Sequence, residues 1–190
     1  MATEAAAYPV TFDVEYPERL SRWLTLFRLI LAIPLYIPAS IINGALGSIG
    51  QFAFVTILFR KKYPRWAFDF LAVGYRYYYG ALAYLLLLRD EYGPFDDIDT
   101  VRVDFEYPEK LNRWLPLVKW LLAIPHYIVL SLLWIVYSIV LFIAWLAILI
   151  TGKHPRALFD FGVAVNRWGL RVTAYAFALT TDRYPPFSFR

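Results

Sequence analysis

The stretch YIVLSLLWIVYSIVLFIAWLAILI, residues 127–150, contains no charged side chain and is almost entirely apolar. An α-helix rises about 1.5 Å per residue, so this segment is long enough to cross a hydrocarbon core of about 30 Å with some tilt. The stretch therefore predicts a membrane span. The segments on either side of it must be compatible with a protein core that lies in a bilayer.

The composition of the whole chain also favours a membrane location. Of its 190 residues, 60% are hydrophobic and 19% are aromatic, which is more apolar surface than a soluble domain of this size can bury. The formal net charge of +4 fits contact with anionic lipid headgroups, so we expect no nucleic-acid partner. The predicted class is an all-α integral membrane protein with short strands outside the bilayer.

The sequence offers little chemistry for catalysis. The absence of cysteine excludes disulfides, thiol catalysis and thiolate metal sites. Neither His126 nor His154 has a carboxylate or a second histidine at ligand spacing, and no phosphate loop or nucleophile elbow is present, so we expect no metal, no cofactor and no enzyme activity. The segment MATEAAAYPV has no basic region followed by an apolar one, so we expect no cleavable signal peptide.

The chain contains an internal repeat. FDVEYPERLSRWLTLFRLILAIPLYI, from residue 12, aligns with VDFEYPEKLNRWLPLVKWLLAIPHYI, from residue 103, at an offset of 91 residues (103 minus 12). The match continues through PRWAFDF and PRALFDF to DEYGPF and DRYPPF, the last pair after a one-residue slip. We therefore divide the chain into a tail at 1–9, a first copy at 10–99 and a second copy at 100–190. In membranes such a duplication is typical of a pseudo-symmetric body.

Each copy is predicted to contain a short strand, an amphipathic interfacial helix and then two apolar helices. The strands are the alternating segments VTFDVEY and VRVDFEY, and the closing segments YGPF and YPPFSF are candidate partner strands. The interfacial helices lie at 18–33 and 109–124, and a proline follows that ends or kinks each of them. In the first, the polar face carries Arg22 and Arg28 and the opposite face carries Trp23. The apolar helices lie at 39–59 and 65–88 in the first copy and at 127–150 and 156–179 in the second.

The number of membrane crossings per copy stays open at this point. Two crossings per copy place the basic loops RKKYPR, 60–65, and GKHPR, 152–156, on one side, as the positive-inside rule prefers. Three crossings would invert the second copy and place these loops on opposite sides. We favour two crossings per copy, four in all. The orientation stays open, because basic residues also flank the other ends of the helices.

Three small residues, Ser40, Gly44 and Ser48, are spaced four apart in the first copy's span. Small residues at this spacing let a second helix approach closely. This helix-packing face is either a contact with another subunit or a contact with a helix of the same chain.

A line of charged residues follows the last helix of each copy, and we call it the polar seam. Its members are Arg65, Asp69 and Arg76 in the first copy and Arg156, Asp160, Arg167 and Arg171 in the second. The i,i+4 spacing of Arg65 with Asp69, and of Arg156 with Asp160, allows an ion pair. Arg76 and Arg167 lie near the middle of their helices, where a charge avoids lipid. They either line a path for an anion, a headgroup or a proton, or bind a neighbouring carboxylate or the backbone.

The motifs EYPERLSRWL, EYPEKLNRWLPLVKWLLAIPHYIVL, GKHPRALFDF and RVTAYAFALTTDRYPPFSF resemble a group of bacterial membrane proteins known as domain of unknown function 4389. The resemblance covers nearly the whole chain as two tandem copies. The second copy follows the pattern more closely, whereas the first has Leu35 where the second has His126. The resemblance implies a repeated integral membrane fold in the bacterial envelope, and it brings no assigned activity or catalytic residue.

The sequence therefore predicts a membrane scaffold or accessory subunit of the bacterial cytoplasmic membrane, with several crossings. Its expected partners are lipids and either other membrane subunits or further copies of itself. The alternative is a transporter or channel component that uses the polar seam around Arg76 and Arg167. A continuous water-filled cavity at these arginines would favour transport. Arginines that are sealed against a carboxylate or the backbone would favour the scaffold.

Overall fold

The computed structural model describes residues 8–92 and 100–189. Within these ranges it has five helices and a two-stranded antiparallel sheet. The elements in chain order are β1 (Val10–Val14), α1 (Arg22–Arg60), α2 (Arg65–Leu85), β2 (Val101–Phe105), α3 (Pro116–Leu122), α4 (Ile124–Thr151) and α5 (Arg156–Ala176).

The predicted interfacial helix and span of the first copy form one continuous helix, α1, so their prediction as two separate elements is wrong. Pro34 and Pro38 both lie inside this helix. Each proline removes one backbone hydrogen bond. The helix nevertheless continues, because Ala32, Leu35 and Ala39, on either side of Pro34, are buried in one cluster with residues of α2. In the second copy a single residue, Ala123, separates α3 from α4.

The two strands pair with each other, centred on Phe12 opposite Val103. These residues occupy equivalent positions in the repeat, so a local two-fold axis passes through the centre of the sheet. The alternation of each strand buries one face and exposes the other. The buried residues are Val10, Phe12, Val14, Val101 and Val103, and the exposed ones are Thr11, Asp13, Arg102 and Asp104.

The closing segment YPPFSF, 184–189, forms no strand, so that part of the prediction is wrong. Pro185 and Pro186 lack the backbone N–H that a ladder needs. The corresponding YGPF segment begins at Tyr92, which is not in a strand, and its remaining residues lie outside the described part of the chain.

The helices form two layers beneath the sheet. β1 packs on α5 and β2 packs on α2, so each strand lies against the last helix of the other copy. On their other side, α2 packs on α1 and α5 packs on α4.

α1 and α4 are antiparallel. The Trp145 indole N–H donates to the Thr25 carbonyl at 3.2 Å, and Leu20 N–H donates to the Gly152 carbonyl at 2.9 Å, which brings the start of α1 to the end of α4. The basic loops that follow these two helices consequently lie at opposite ends of the pair.

The outward surface of α1 and α4 is apolar, and we call it the outer helix face. It includes Trp23, Ile30, Ile37, Ile41 and Val55 on α1 and Ile128, Leu132, Ile135, Ile139 and Ile150 on α4. Within the described ranges, α1 and α4 are the two helices long and apolar enough to cross a membrane. Helices α2 and α5, which carry the polar seam as predicted, were also predicted to be apolar spans, and this is wrong: they are not among these two helices and lie between the other helices and the sheet.

Candidate functional site

Arg167, in the middle of α5, binds the strand of the first copy. Its Nε–H donates to the Phe12 carbonyl at 2.7 Å, and one terminal amino group donates to the Asp13 carboxylate at 3.0 Å. A second terminal amino group donates to the Phe189 carbonyl at 3.3 Å. The guanidinium thus joins the first copy to the end of the chain.

Arg76 makes the equivalent contacts from α2 to the strand of the second copy. Its Nε–H donates to the Val103 carbonyl at 2.8 Å, and a terminal amino group donates to Asp104 at the same distance. We call these two arginines with their strand partners the strand clamps. Each clamp crosses from one copy to the other, so the strands are exchanged between the copies.

The first residues of α2 and α5 also contact the segments that follow the strands of the other copy. The Arg65 guanidinium lies 4.4 Å from the ring centre of Tyr107, and the Arg156 guanidinium lies 4.5 Å from that of Tyr16. The Tyr107 hydroxyl donates to the Tyr63 carbonyl at 2.6 Å. These contacts hold the ends of the strands to the loops between the helices.

The structure brings together most of the polar seam on the sheet side of the molecule. Arg65 lies 3.6 Å from Asp69, and Arg156 lies 3.1 Å from Asp160, which confirms both i,i+4 pairs. All four side chains are exposed, so these pairs contribute little stability. Arg156, Asp160 and Arg167 line one cleft of about 590 Å³ beside β1, together with Asp13 and Phe189. Arg171 does not line this cleft and is buried, with its guanidinium 5.6 Å from the ring centre of Tyr8.

A second pair of charged contacts was missed by sequence reasoning. Arg28 is 2% exposed and pairs with Asp90, while its other terminal nitrogen donates to the carbonyls of Tyr84 and Arg89 at 2.7 and 2.8 Å. The sequence placed Arg28 on the polar side of an interfacial helix. Arg28 is instead buried against the end of α2, where its guanidinium binds the carbonyl of Tyr84 in the last turn and that of Arg89 beyond the helix.

Lys119 repeats this contact in the second copy. It is fully buried, its ammonium lies 2.7 Å from Asp182, and it donates to the Thr181 carbonyl at 2.7 Å. Burial lowers the pKa of Lys119, and the hydrogen bond and charge of Asp182 offset part of that change. We call the pairs Arg28–Asp90 and Lys119–Asp182 the helix clasps. The signal that could have revealed them is a basic residue and an aspartate at matching positions in both copies.

The histidines are buried at places where the two copies differ. His126 accepts a hydrogen bond at Nδ1 from the Trp168 indole at 3.0 Å, and its ring stacks on Phe187 at 3.9 Å. His154 is 2% exposed, and burial lowers its pKa. Across residues 8–92 and 100–189, no three His, Asp or Glu side chains are grouped so that they could hold a metal ion.

A cavity of about 660 Å³ lies between α1 and α4, and we call it the central cavity. Both members of several equivalent pairs line it, such as Tyr36 with Tyr127 and Tyr75 with Asn166, so it lies on the local two-fold axis. Its floor is formed by residues of α2 and α5, including the buried Tyr79 and Asn166, and its walls include the exposed Tyr36 and Trp134 and the buried Leu130.

The helix-packing face of Ser40, Gly44 and Ser48 is exposed. The Ser40 hydroxyl donates to Ile37 and the Ser48 hydroxyl to Gly44, both within α1. A side chain added at Gly44 would meet no atom within 4 Å among the described residues. The face therefore does not pack against another helix of this chain, and its role as a subunit contact stays a prediction.

Comparison with known proteins finds one family. The family model described as Domain of unknown function (DUF4389) matches residues 22–96 and 114–188 as two tandem copies. Both matches begin after the strand of their copy. No curated protein and no solved structure matches the chain.

Proposed function

The chain belongs to the DUF4389 family as two tandem copies, and from this premise we propose that it is a membrane scaffold or accessory subunit of the bacterial inner membrane. It acts through contacts with lipids and with other subunits or further copies of itself. The family supplies no activity, so the proposal is argued from the surfaces of the molecule.

The observation that carries this proposal is the distribution of burial in the α1 and α3 region. The charged side chains of Arg28 and Lys119 are buried, whereas Trp23 on α1 and Trp114 before α3 are 74% and 62% exposed. A water-soluble protein favours the opposite arrangement. An apolar surface as extensive as the outer helix face is expected to be covered by lipid or by another protein.

The polar sheet lies on the other side of the molecule from this face. If α1 and α4 stood along the membrane normal, Asp13, Arg102 and Asp104 would lie beside the middle of the helices, at mid-bilayer depth. Exposed charges and open strand edges are disfavoured there. We therefore propose that α1 and α4 lie along the membrane, with the outer helix face in one leaflet and the sheet in water, instead of crossing the bilayer several times.

The transport alternative draws no support from the two arginines that suggested it. Arg76 and Arg167 each bind a backbone carbonyl and an aspartate, and the strand clamps account for both side chains. Contacts with a carboxylate and the backbone are those expected of a scaffold, and the cleft that Arg167 lines is on the polar sheet side of the molecule. A flux assay in liposomes with Arg167→Ala and wild-type protein provides a direct check, and we expect no arginine-dependent flux.

The proposal is tested by extracting the protein in mild detergent and weighing the intact particle by native mass spectrometry. We expect a particle heavier than one 22.2 kDa chain, with bound lipid or further subunits. The exposed helix-packing face offers a matched variant, Gly44→Leu, which is expected to reduce assembly without unfolding the chain. A folded, monodisperse monomer in buffer without any amphiphile would refute the proposal.

A further inference from the structure

We infer that the central cavity binds an uncharged lipid that carries a hydroxyl group. None of its described lining residues is charged, and most are tyrosines, leucines or other apolar residues. Its volume of about 660 Å³ is within the range of about 300 to 1,000 Å³ that is usual for sites that hold small molecules. The inference rests on the proposed function, because a position of the outer helix face in one leaflet brings the cavity into contact with lipid. We call this position the membrane seat.

The first argument comes from glycines that local packing does not require. Glycine inside a helix is destabilising relative to alanine, so it needs a reason. Gly74 and Gly162 have one, because a Cβ atom there would lie 2.6 Å from Leu46 and from Tyr137, respectively. Gly47 and Gly169 line the central cavity, and among the described residues a Cβ atom at either would meet nothing within 4 Å.

The equivalent position to Gly169 in the first copy is Tyr78, which lines the same cavity. The second copy therefore has empty space where the first has a phenol ring. This space opens on the outer helix face, since Gly47 is exposed and Gly169 is half-buried. A molecule that occupies the space beside Gly169 and Gly47 accounts for both glycines.

The second argument comes from Asn166 on the cavity floor. This side chain is 2% exposed, and its amide nitrogen donates to the Gly162 carbonyl at 2.8 Å. Its carboxamide oxygen meets no donor within the described part of the chain. A buried acceptor without a partner is costly, and a ligand hydroxyl would supply the missing donor. The required donor distinguishes a lipid alcohol from a simple ester or hydrocarbon.

The route of entry agrees with a ligand from the bilayer. The cavity walls include Tyr36 and Trp134, which are 39% and 38% exposed on the outer helix face. If that face lies in a leaflet, the cavity opens to acyl chains instead of to water. An apolar chain then occupies the space between α1 and α4, and the hydroxyl reaches Asn166 at the floor.

The test uses three probes with one common chain: 1-monooleoylglycerol, methyl oleate and oleate. The full-length protein is exchanged from detergent into an amphipol and titrated with each probe, and bound lipid is counted by native mass spectrometry. We expect monooleoylglycerol to bind at least about tenfold more tightly than methyl oleate, which lacks a donor, and than oleate, whose charge would be buried without a partner. Asn166→Leu is expected to abolish the preference over methyl oleate.

Two variants fill the cavity from different helices. Gly169→Tyr introduces the residue of the first copy, and Gly47→Leu fills the space from α1. Each is expected to weaken monooleoylglycerol binding by about tenfold or more while the melting temperature is unchanged or higher. Ala45→Leu is the control, because Ala45 is exposed on α1 but does not line the cavity, and its affinity should equal that of the wild type.

Several outcomes would overturn the inference. Wild-type protein that binds none of the probes, folded filled variants that bind monooleoylglycerol as well as the wild type, or equal loss in Ala45→Leu would each do so. If Gly169→Tyr fails to fold, Gly47→Leu decides. Flotation of the protein with phosphatidylglycerol vesicles tests the membrane seat separately, so a failure of the proposed function is recognised without reference to probe binding.

Discussion

Arg167 in the second copy donates a hydrogen bond to the carbonyl of Phe12 in the first copy, at 2.7 Å. The equivalent hydrogen bond runs from the first copy to the second, where Arg76 donates to the carbonyl of Val103. The two copies therefore complete each other, and the helices of either copy alone would lack the strand that packs on them. This reciprocity explains why the strand sequences, which flank the matched family segments, are duplicated along with the helices.

Removing a strand clamp should destabilise the fold. Arg167→Leu leaves the Phe12 carbonyl without its donor, and we expect a loss of about 1 to 3 kcal/mol in the free energy of unfolding. Arg76→Leu should cost less, because the Arg76 side chain is 44% exposed and that of Arg167 is 24% exposed. Denaturant unfolding in mild detergent measures both. Asp160→Asn, which removes the charge of an exposed pair and leaves the contact of Arg156 with Tyr16, is the control and should cost less than about 1 kcal/mol.

The helix clasps should be sensitive to charge and tolerant of the residue used by the other copy. Lys119→Met leaves the partly buried Asp182 without its cation, and we expect a loss of about 3 kcal/mol. Lys119→Arg places there the residue type of Arg28 and should retain most of the stability. Thermal unfolding of the three proteins under one condition makes the comparison. Equal losses for Met and Arg would mean that shape, and not charge, holds this site.

Much of the organisation could be predicted from the sequence, because it is local or repeated. The offset of 91 residues and the alternation in both strand segments predicted the two copies and their strands. The apolar character of residues 127–150 predicted α4, and the family match confirmed the tandem resemblance. The strand alternation and the apolar stretch are local signals within one copy, and the offset follows from comparing the two copies.

The features that sequence reasoning missed depend on contacts between the copies or on packing far along the chain. Pro34 predicted a boundary, but contacts of its neighbours with α2 keep α1 continuous. Arg28 was placed on the polar face of an interfacial helix, and its burial was missed because its partner Asp90 lies 62 residues away. The exchange of strands leaves no local trace, since the two strand segments would look the same if each packed on its own copy.

The pH dependence of stability should include a contribution from His154. Burial holds its pKa below the ordinary value near 6.5, so the unfolded chain takes up a proton more readily than the folded one. Stability should therefore fall as the pH is lowered through about 6.5 and level off below the folded-state pKa. His154→Tyr, which introduces the residue found at Tyr63, should show a smaller difference in melting temperature between about pH 7.5 and about pH 5.5. His126 is present in both proteins and cancels in this comparison.

The ends of α1 and α4 offer a matched pair of backbone substitutions. Both helices end at an equivalent residue in the left-handed region, Lys61 with φ of 57° and Gly152 with φ of 73°. A side chain in this conformation costs about 1 to 2 kcal/mol relative to glycine. Lys61→Gly should therefore raise the free energy of unfolding by about 1 kcal/mol, and Gly152→Lys should lower it by a similar amount. Changes of the same sign at both positions would contradict this explanation.

The proposed membrane seat makes a prediction about sidedness that the chain is well suited to test, because it has no native cysteine. Single cysteines are introduced at Lys62 and Lys153, in the loops at opposite ends of the α1 and α4 pair, at Thr11 on the exposed sheet face and at Ile139 on the outer helix face. With α1 and α4 along the membrane, a membrane-impermeant maleimide should label the first three from the same side of sealed vesicles, while Ile139→Cys resists labelling. If Lys62→Cys and Lys153→Cys are labelled from opposite sides, the antiparallel helices cross the bilayer. The exposed charges of the sheet would then require a polar lumen between subunits, since lipid cannot solvate them.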